Sequence, residues 1–448
     1  MSLPLPHPQT HTHTDPLKTL APFLLPDLPH SLPLLRRIQH RLSSPTARTL
    51  ATFPPPTSIT TPPPSSFSAL WIDRSRAPET ECWLFSTYEL PSRPHTPHDE
   101  AQAKAQILAL FHAVATLPPP EPRRANDDVV ILGTLNECLL PLLAASDLEH
   151  LVPEKVLSRS VVGDARTRGT DGEGKKGRED VGVLSGLSVP YMKWIIAPPP
   201  SPAPATDAGN GNNQVEQDIP LPANYHFDRV RAEKGEYKLV ISRSDIPRTE
   251  KTLSELGSKG IRYLAPLSSP SPSPSSSFSH SSNTTLPPPK ASTATATAKA
   301  TKDASSSNKD TDTDTDTDPS GDLISWSFLS PDGSLSSLHV EPAHRGLGLA
   351  KAVSRRLFRH LAEDPAGMGF RAVEPLAVET GGGEGIDWGG VRAVRDEAWA
   401  HSDVAVDNLG SAGVVRRVGG REGWVVRWVG VGVGMVGGVI EGCKVRGL

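Results

Sequence analysis

The sequence predicts an α/β (α+β) chain: a mixed, mostly antiparallel sheet flanked by helices, an N-terminal α/β domain before it, and disordered insertions. Three observations predict this. Residues 323–329 and 334–340 are strand-like runs joined by Ser330-Pro331-Asp332-Gly333, and Asp-Gly is a strong hairpin signal. The second run passes through Arg345-Gly346-Leu347-Gly348-Leu349-Ala350 into a helix over 351–364. Tracts rich in Pro, Ser, Thr and Gly separate the patterned segments, and such composition buries too little apolar surface to offset chain entropy.

Residues 34–42 have helical spacing. Residues 69–73 and 82–88, rich in Trp, Phe and Ile, read as strands. Residues 100–117 form an amphipathic helix with Ile107, Leu108, Phe111 and Val114 on one face. A buried strand follows over 128–133, then a short helix through 143 and a strand over 187–196. With linkers at 54–66, 163–180 and 198–213, these make an N-terminal domain of residues 1–215. No motif in it carries chemistry.

The second domain spans 220–430. It opens with a strand at 225–230 and helices at 236–241 and 248–256, the latter started by Pro247. A disordered insertion, 268–320, precedes the hairpin. In the 351–364 helix, Leu349, Ala350, Val353, Leu357 and Leu361 line one face while Arg355, Arg356 and Arg359 lie off it. An irregular insertion covers 367–396. A strand (398–404), a helix (408–418) and a strand (424–429) complete the domain. The 431–448 tail, with its Val-Gly alternation, does not read as a finished strand.

Composition limits function. The chain has 448 residues, only 36% of them hydrophobic, and 46 prolines, so much of it is not core. Lys+Arg 46 against Asp+Glu 50 leaves a net charge of -4, with no basic field for nucleic acid. No apolar run approaches the ~20 residues that span a bilayer, so no membrane partner is expected. Cys82, Cys138 and Cys443 are odd in number and widely spaced, which suits neither a disulfide framework nor a zinc site. They point to a reducing, cytoplasmic location, with a mitochondrial one left open. His7, His11 and His13 sit in a Pro/Thr-rich start and read as part of a polar disordered tail, so no metal is expected.

The strand–turn–helix at 338–351 has the makings of a pyrophosphate cradle. Gly346 and Gly348 allow close backbone approach, and the first helical turn presents unpaired N–H groups and the positive end of a dipole. A P-loop would need GxxxxGK and Ser or Thr, which is absent. A Rossmann site would need a third glycine, but Leu349, Ala350 and Lys351 follow Gly348, and it would need a parallel βαβ unit, which the upstream hairpin denies.

Arg345-x-x-Gly348-x-Ala350 resembles the coenzyme A signature of the GNAT acyltransferase superfamily, Gln/Arg-x-x-Gly-x-Gly/Ala. Leu338-x-Val340-x-Pro342 resembles that family's fourth strand. Asn408, Ser411 and Val418-Gly419 resemble its second block, although Gly420 stands where the family has Phe. A narrower resemblance is to the glycine N-acyltransferase-like branch, FR47-like and fungal relatives included. It is carried by the two-domain layout and by the segments 241–248 and 337–342.

The resemblance implies a GNAT fold, acetyl-CoA or another acyl-CoA as co-substrate, and a small-molecule amine or amino-acid acceptor. Oligomeric state is left open. It implies cofactor contacts from Leu338, Val340, Arg345, Gly346, Leu347, Gly348, Leu349, Ala350, Asn408 and Ser411. Val340 would present an oxyanion donor, and the amine would attack directly. Ser334 and Ser336 occupy positions where relatives carry a Glu or His base, and Val415 stands for the Tyr that protonates the leaving thiolate. His339 is the nearest titratable side chain, open to a catalytic and to a cleft-shaping role. Arg243 and Arg248 fall in the acceptor lip, open to holding a carboxylate or to ordinary salt bridges. The alternative to an enzyme is a non-catalytic acyl-CoA-binding module.

Overall fold

The computed structural model describes residues 8–56, 64–76, 79–118, 129–144, 189–198, 220–244, 248–265, 321–373 and 398–432. The expected insertions at 163–180 and 268–320, and most of 198–213, 367–396 and 431–448, lie outside them.

In chain order the strands are β1 (His11–Thr12), β2 (Arg48–Ala51), β3 (Ser68–Ile72), β4 (Cys82–Ser86), β5 (Val129–Asn136) and β6 (Tyr191–Ile196). Then come β7 (Tyr225–Asp228), β8 (Gly257–Tyr263), β9 (Asp322–Leu329), β10 (Leu335–Val340), β11 (Ala400–Ala405) and β12 (Arg421–Gly432). The helices are α1 (Pro16–Thr19), α2 (Ala21–Leu24), α3 (Leu32–Gln39), α4 (Pro97–Ala115) and α5 (Leu140–Ala144). They continue with α6 (Glu236–Ser242), α7 (Glu250–Ser254), α8 (Leu349–Glu363) and α9 (Leu409–Arg417).

One sheet has eight strands in the order β1-β2-β3-β4-β5-β12-β6-β11, and a second has four in the order β10-β9-β8-β7. All neighbours are antiparallel except β4 and β5. The pairing runs across the boundary expected near residue 220, because β12 lies between β5 and β6, and β6 between β12 and β11.

Local chemistry explains most element limits. Thr96 and Asp99 form a capping box with Pro97 at the first helical position, so α4 starts earlier than residue 100. Thr249, not Pro247, opens α7, its hydroxyl accepting the Thr252 N–H. The Asp-Gly hairpin between β9 and β10 forms as expected, with Gly333 at φ +79. The expected polar tail is corrected in part: β1 pairs with β2, and His13 is 2% exposed against Thr19 and the Phe53 carbonyl. Burial lowers the pKa of His13 and makes it a core histidine.

Strand β8 was not expected. Its sequence, with two glycines, a lysine and an arginine, has little strand character. The glycines answer to space: a Cβ on Gly260 would come 2.7 Å from Leu323 Cδ1. Arg262 is sequestered with Asp228 and, at 2.7 Å, Glu236, its side chain 1% exposed. Arg262→Met should therefore lower stability by about 3–5 kcal/mol, because it strands two carboxylates beside a buried face. Urea unfolding read by tryptophan fluorescence would show it.

Candidate functional site

The two sheets meet where β10 approaches β11, and they meet at a point. Ser334 and His401 form a single parallel bridge, and the His401 N–H donates to the Gly333 carbonyl at 3.1 Å. Among the described residues, beyond it β11 pairs only with β6, over six residues, and β10 only with β9. The strands diverge towards Val340 and Ala405, leaving unpaired strand backbone on both sides of a gap.

A bulge shapes the β10 side of this gap. The register with β9 shifts between Ser336 and His339, and Ser337 sits at φ +50. Such a conformation is strained for a residue with a Cβ and marks a locally imposed geometry. The Glu341 N–H donates to the Ile324 carbonyl on β9, and Ser325 Oγ to the His339 carbonyl. By strand alternation, Val340 turns its amide and carbonyl to the gap. Arg345 Nε takes that carbonyl at 3.0 Å, which leaves the amide.

The cradle closes the wide end. After a turn at Pro342–His344 come Gly346 (φ +84) and Gly348 (φ +77), the latter at the N-cap of α8. A Cβ on either glycine would meet nothing within 4 Å, so both border open space. No side chain caps α8 and its first turn holds no acid, so its leading N–H groups are available to an anion. Leu349 is buried, and its side chain anchors the helix to the core with Ala352 and Val353. Leu347 is half-exposed beside the turn. Across the gap Asn408 caps α9, its Oδ1 accepting the Ser411 N–H at 3.0 Å. These two residues are thus bonded to each other. The residues expected at 338–350 come together at one end of the gap, and Asn408 and Ser411 follow the end of β11.

His339 stacks on Trp326 with ring centroids 4.6 Å apart and 19° between planes. Its Nε2 lies 3.7 Å from Glu341 Oε1, too long for a hydrogen bond. Arg243 Nε donates to that same oxygen at 3.0 Å. Burial lowers the pKa of His339. Ser334 donates to Asp332 and Ser330 donates to Ser336, so both serines serve the hairpin. Val415 is 1% exposed in the core under α9. Sequence reasoning missed the Ser337 bulge and the Trp326 stack. It also missed the aromatic cluster of Tyr225, Tyr263 and His344 beside the cradle, where Tyr225 Oη lies 2.8 Å from His344 Nδ1.

A cavity of about 680 Å³ lies near the opposite end of β11, lined by His30, Glu89, Trp399 and Trp424 among others. Burial pushes the Glu89 carboxyl up to about 8. Among the described residues no group of His, Cys, Asp and Glu could hold a metal ion, and no helix is long and apolar enough to cross a membrane.

Two families match the chain. The Acyl-CoA N-acyltransferase verG N-terminal domain matches residues 7–171, and the FR47-like protein family matches residues 317–370, which contain β10, the cradle and α8. In these two segments the chain is similar to those families. Its fold is a mixed α/β arrangement of mostly antiparallel sheets flanked by helices. Solved structures similar to it include an X-ray structure of a Drosophila protein, 11% identical with a TM-score of 0.38, covering 87% of this chain and 80% of that one. A GCN5-related N-acetyltransferase from Kribbella flavida is 11% identical with a TM-score of 0.35, covering 82% and 86%. A tandem GNAT protein from the clavulanic acid biosynthesis pathway is 10% identical with a TM-score of 0.35, covering 94% and 97%. No curated protein matches the chain.

Proposed function

We propose that this protein is a GNAT-type N-acyltransferase that moves an acyl group from acetyl-CoA or another acyl-CoA to the amine of a small molecule or amino acid. The observation that carries this is the divergence of β10 from β11 above a two-glycine cradle, with the Val340 amide turned to the gap. When bound, acyl-CoA supplies an activated acyl carbonyl. Gly346, Leu347, Gly348, Leu349 and Ala350 hold the pyrophosphate with backbone N–H groups, and Arg345 fixes the strand end beside them. The edges of β10 at Leu338 and Val340 take the pantetheine amides, with Asn408 and Ser411 on the facing side. The Val340 N–H stabilises negative charge developing on the carbonyl oxygen.

The acceptor must be neutral to attack, and His339 takes its proton, directly or through water. Its lowered pKa keeps it neutral, and so competent, below the ordinary histidine value of 6.5. Stacking on Trp326 fixes the ring. His339→Gln should lower kcat by about 10²–10⁴. The acid limb of the wild-type pH–rate profile should have its midpoint below 6.5 and vanish in the variant. A limb that persists in His339→Gln assigns the base elsewhere.

Incubation with several acyl-CoAs and a panel of amines and amino acids, with free thiol as the readout, tests the activity. One set of observations favours the binding-module alternative: Ser334 and Ser336 are engaged in the hairpin, and Val415 is buried where an acid would stand. Calorimetric binding of CoA with no thiol release across the panel would support that reading. No CoA binding at all would defeat both.

A further inference from the structure

We infer that the N-terminal half sets the width of the acyl-CoA gap through a buried polar relay that pins the backbone bridge between the β9–β10 hairpin and β11. The inference rests on the acyl-CoA reading of that gap. Trp83, on β4, donates its indole N–H to Asp332 Oδ2 at 3.0 Å. Asp332 sits in the β9–β10 hairpin turn, and its Oδ1 accepts from the Ser334 N–H and hydroxyl. The Asp332 carbonyl lies 3.0 Å from His401 Nε2 on β11. His401 Nδ1 lies 3.0 Å from Lys193 Nζ on β6, and Lys193 donates to Asp403 Oδ1 at 2.7 Å.

The partners fix the tautomer. A carbonyl only accepts, so His401 Nε2 carries the hydrogen, and Nδ1 is left to accept from the Lys193 ammonium. Each side chain then has one role, and the relay can form in one arrangement of the strands. Trp83 and Lys193 both belong to the first half of the chain. The middle belongs to the hairpin and β11, the two elements whose divergence makes the gap. Asp332, Ser334 and His401 surround the single bridge, and Val340 lies six residues further along β10.

The members are deeply buried: Lys193 1%, His401 0%, Asp403 4% and Asp332 5% exposed. Burial alone would raise the Asp403 carboxyl, and the Lys193 ammonium beside it more than offsets this. Asp403 Oδ2 has no hydrogen-bond partner. An unmet buried oxygen costs about 1–3 kcal/mol, and a well-packed apolar core would avoid it. Apolar replacement of a buried ion pair is often neutral or stabilising, so stability alone does not account for these residues. Directionality does: an apolar contact would let β11 slide or rotate against the hairpin, and this relay does not.

The test uses the full-length protein and calorimetric titration with acetyl-CoA. Lys193→Met with Asp403→Leu removes the charges together and should melt within a few degrees of wild type. Its affinity for acetyl-CoA should fall by about tenfold, because the cradle and the Val340 amide no longer face one bound molecule at the right separation. Lys193→Arg, which keeps a donor for both His401 and Asp403, should restore most of the affinity. Trp83→Phe removes one hydrogen bond far from the cradle and should weaken binding several-fold, and it keeps the test open should the double variant not fold. A folded double variant or Trp83→Phe that binds as wild type does overturns the inference. Wild-type protein that binds no acetyl-CoA overturns the acyl-CoA reading itself, and this inference with it.

Discussion

Gly348→Trp should abolish measurable binding of acetyl-CoA while leaving the fold in place. Gly348 caps α8 at φ +77, a conformation that Cβ-bearing residues adopt at a cost of roughly 1–2 kcal/mol. A Cβ there meets no protein atom within 4 Å, so a larger side chain extends into the space between the cradle and the gap rather than into the core. The indole would occupy the place of the pyrophosphate and cover the first-turn N–H groups of α8. Affinity should fall by at least about two orders of magnitude, roughly 3 kcal/mol. Gly348→Ala separates the two effects. It carries the same backbone strain without the bulk, so it should lose some thermal stability yet keep most of its affinity. Calorimetry and thermal melting of wild type and both variants decide the matter. Equal affinity in Gly348→Trp would move the anion site elsewhere.

The cradle was legible because its signal is local. Two glycines with positive φ, a preceding apolar strand and a following amphipathic helix all lie within about one turn of each other in sequence. The hairpin was legible for the same reason, since Asp332-Gly333 encodes its turn. Strand β8 was not, because Gly260 is chosen by Leu323 across the sheet, Gly257 by Met368, and its arginine by Asp228 and Glu236. His13 was misread for a related reason. Its burial depends on Phe53, 40 residues away, and on Thr49, and nothing within Met1 to Asp15 announces them. In the proposed site, Arg345, Gly346 and Gly348 were singled out from pattern alone. The bulge at Ser337 and the stack of His339 on Trp326 depend on register with β9, which local composition does not encode. Asn408 and Ser411 were singled out together, and the structure gives their spacing a reason: a capping residue bonds the N–H three positions on.

Residues 220–432 expressed alone should fail to form a cooperative fold. The expected boundary near 220 follows composition, but strand pairing does not respect it. Cut there, β11 loses its six-residue ladder with β6 and retains one bridge to β10. β12 loses β6 on one side and β5 on the other. Trp194 and Ile196 of β6 leave the cluster they share with Leu329, Leu357, Phe358 and Ala400, and each large apolar side chain removed from such a core costs about 2–5 kcal/mol. His401 and Asp403 lose Lys193, which leaves a buried carboxylate without its cation. Single domains are stable by only about 5–15 kcal/mol, so the sum exceeds what the fragment can spare. The fragment should aggregate through its two open strand edges. Co-expression with residues 1–200 should recover a soluble complex that melts in one transition. A fragment that is soluble, melts cooperatively and binds acetyl-CoA as the full chain does would show that β6 is dispensable to the site, and that the two halves are joined only by their linker.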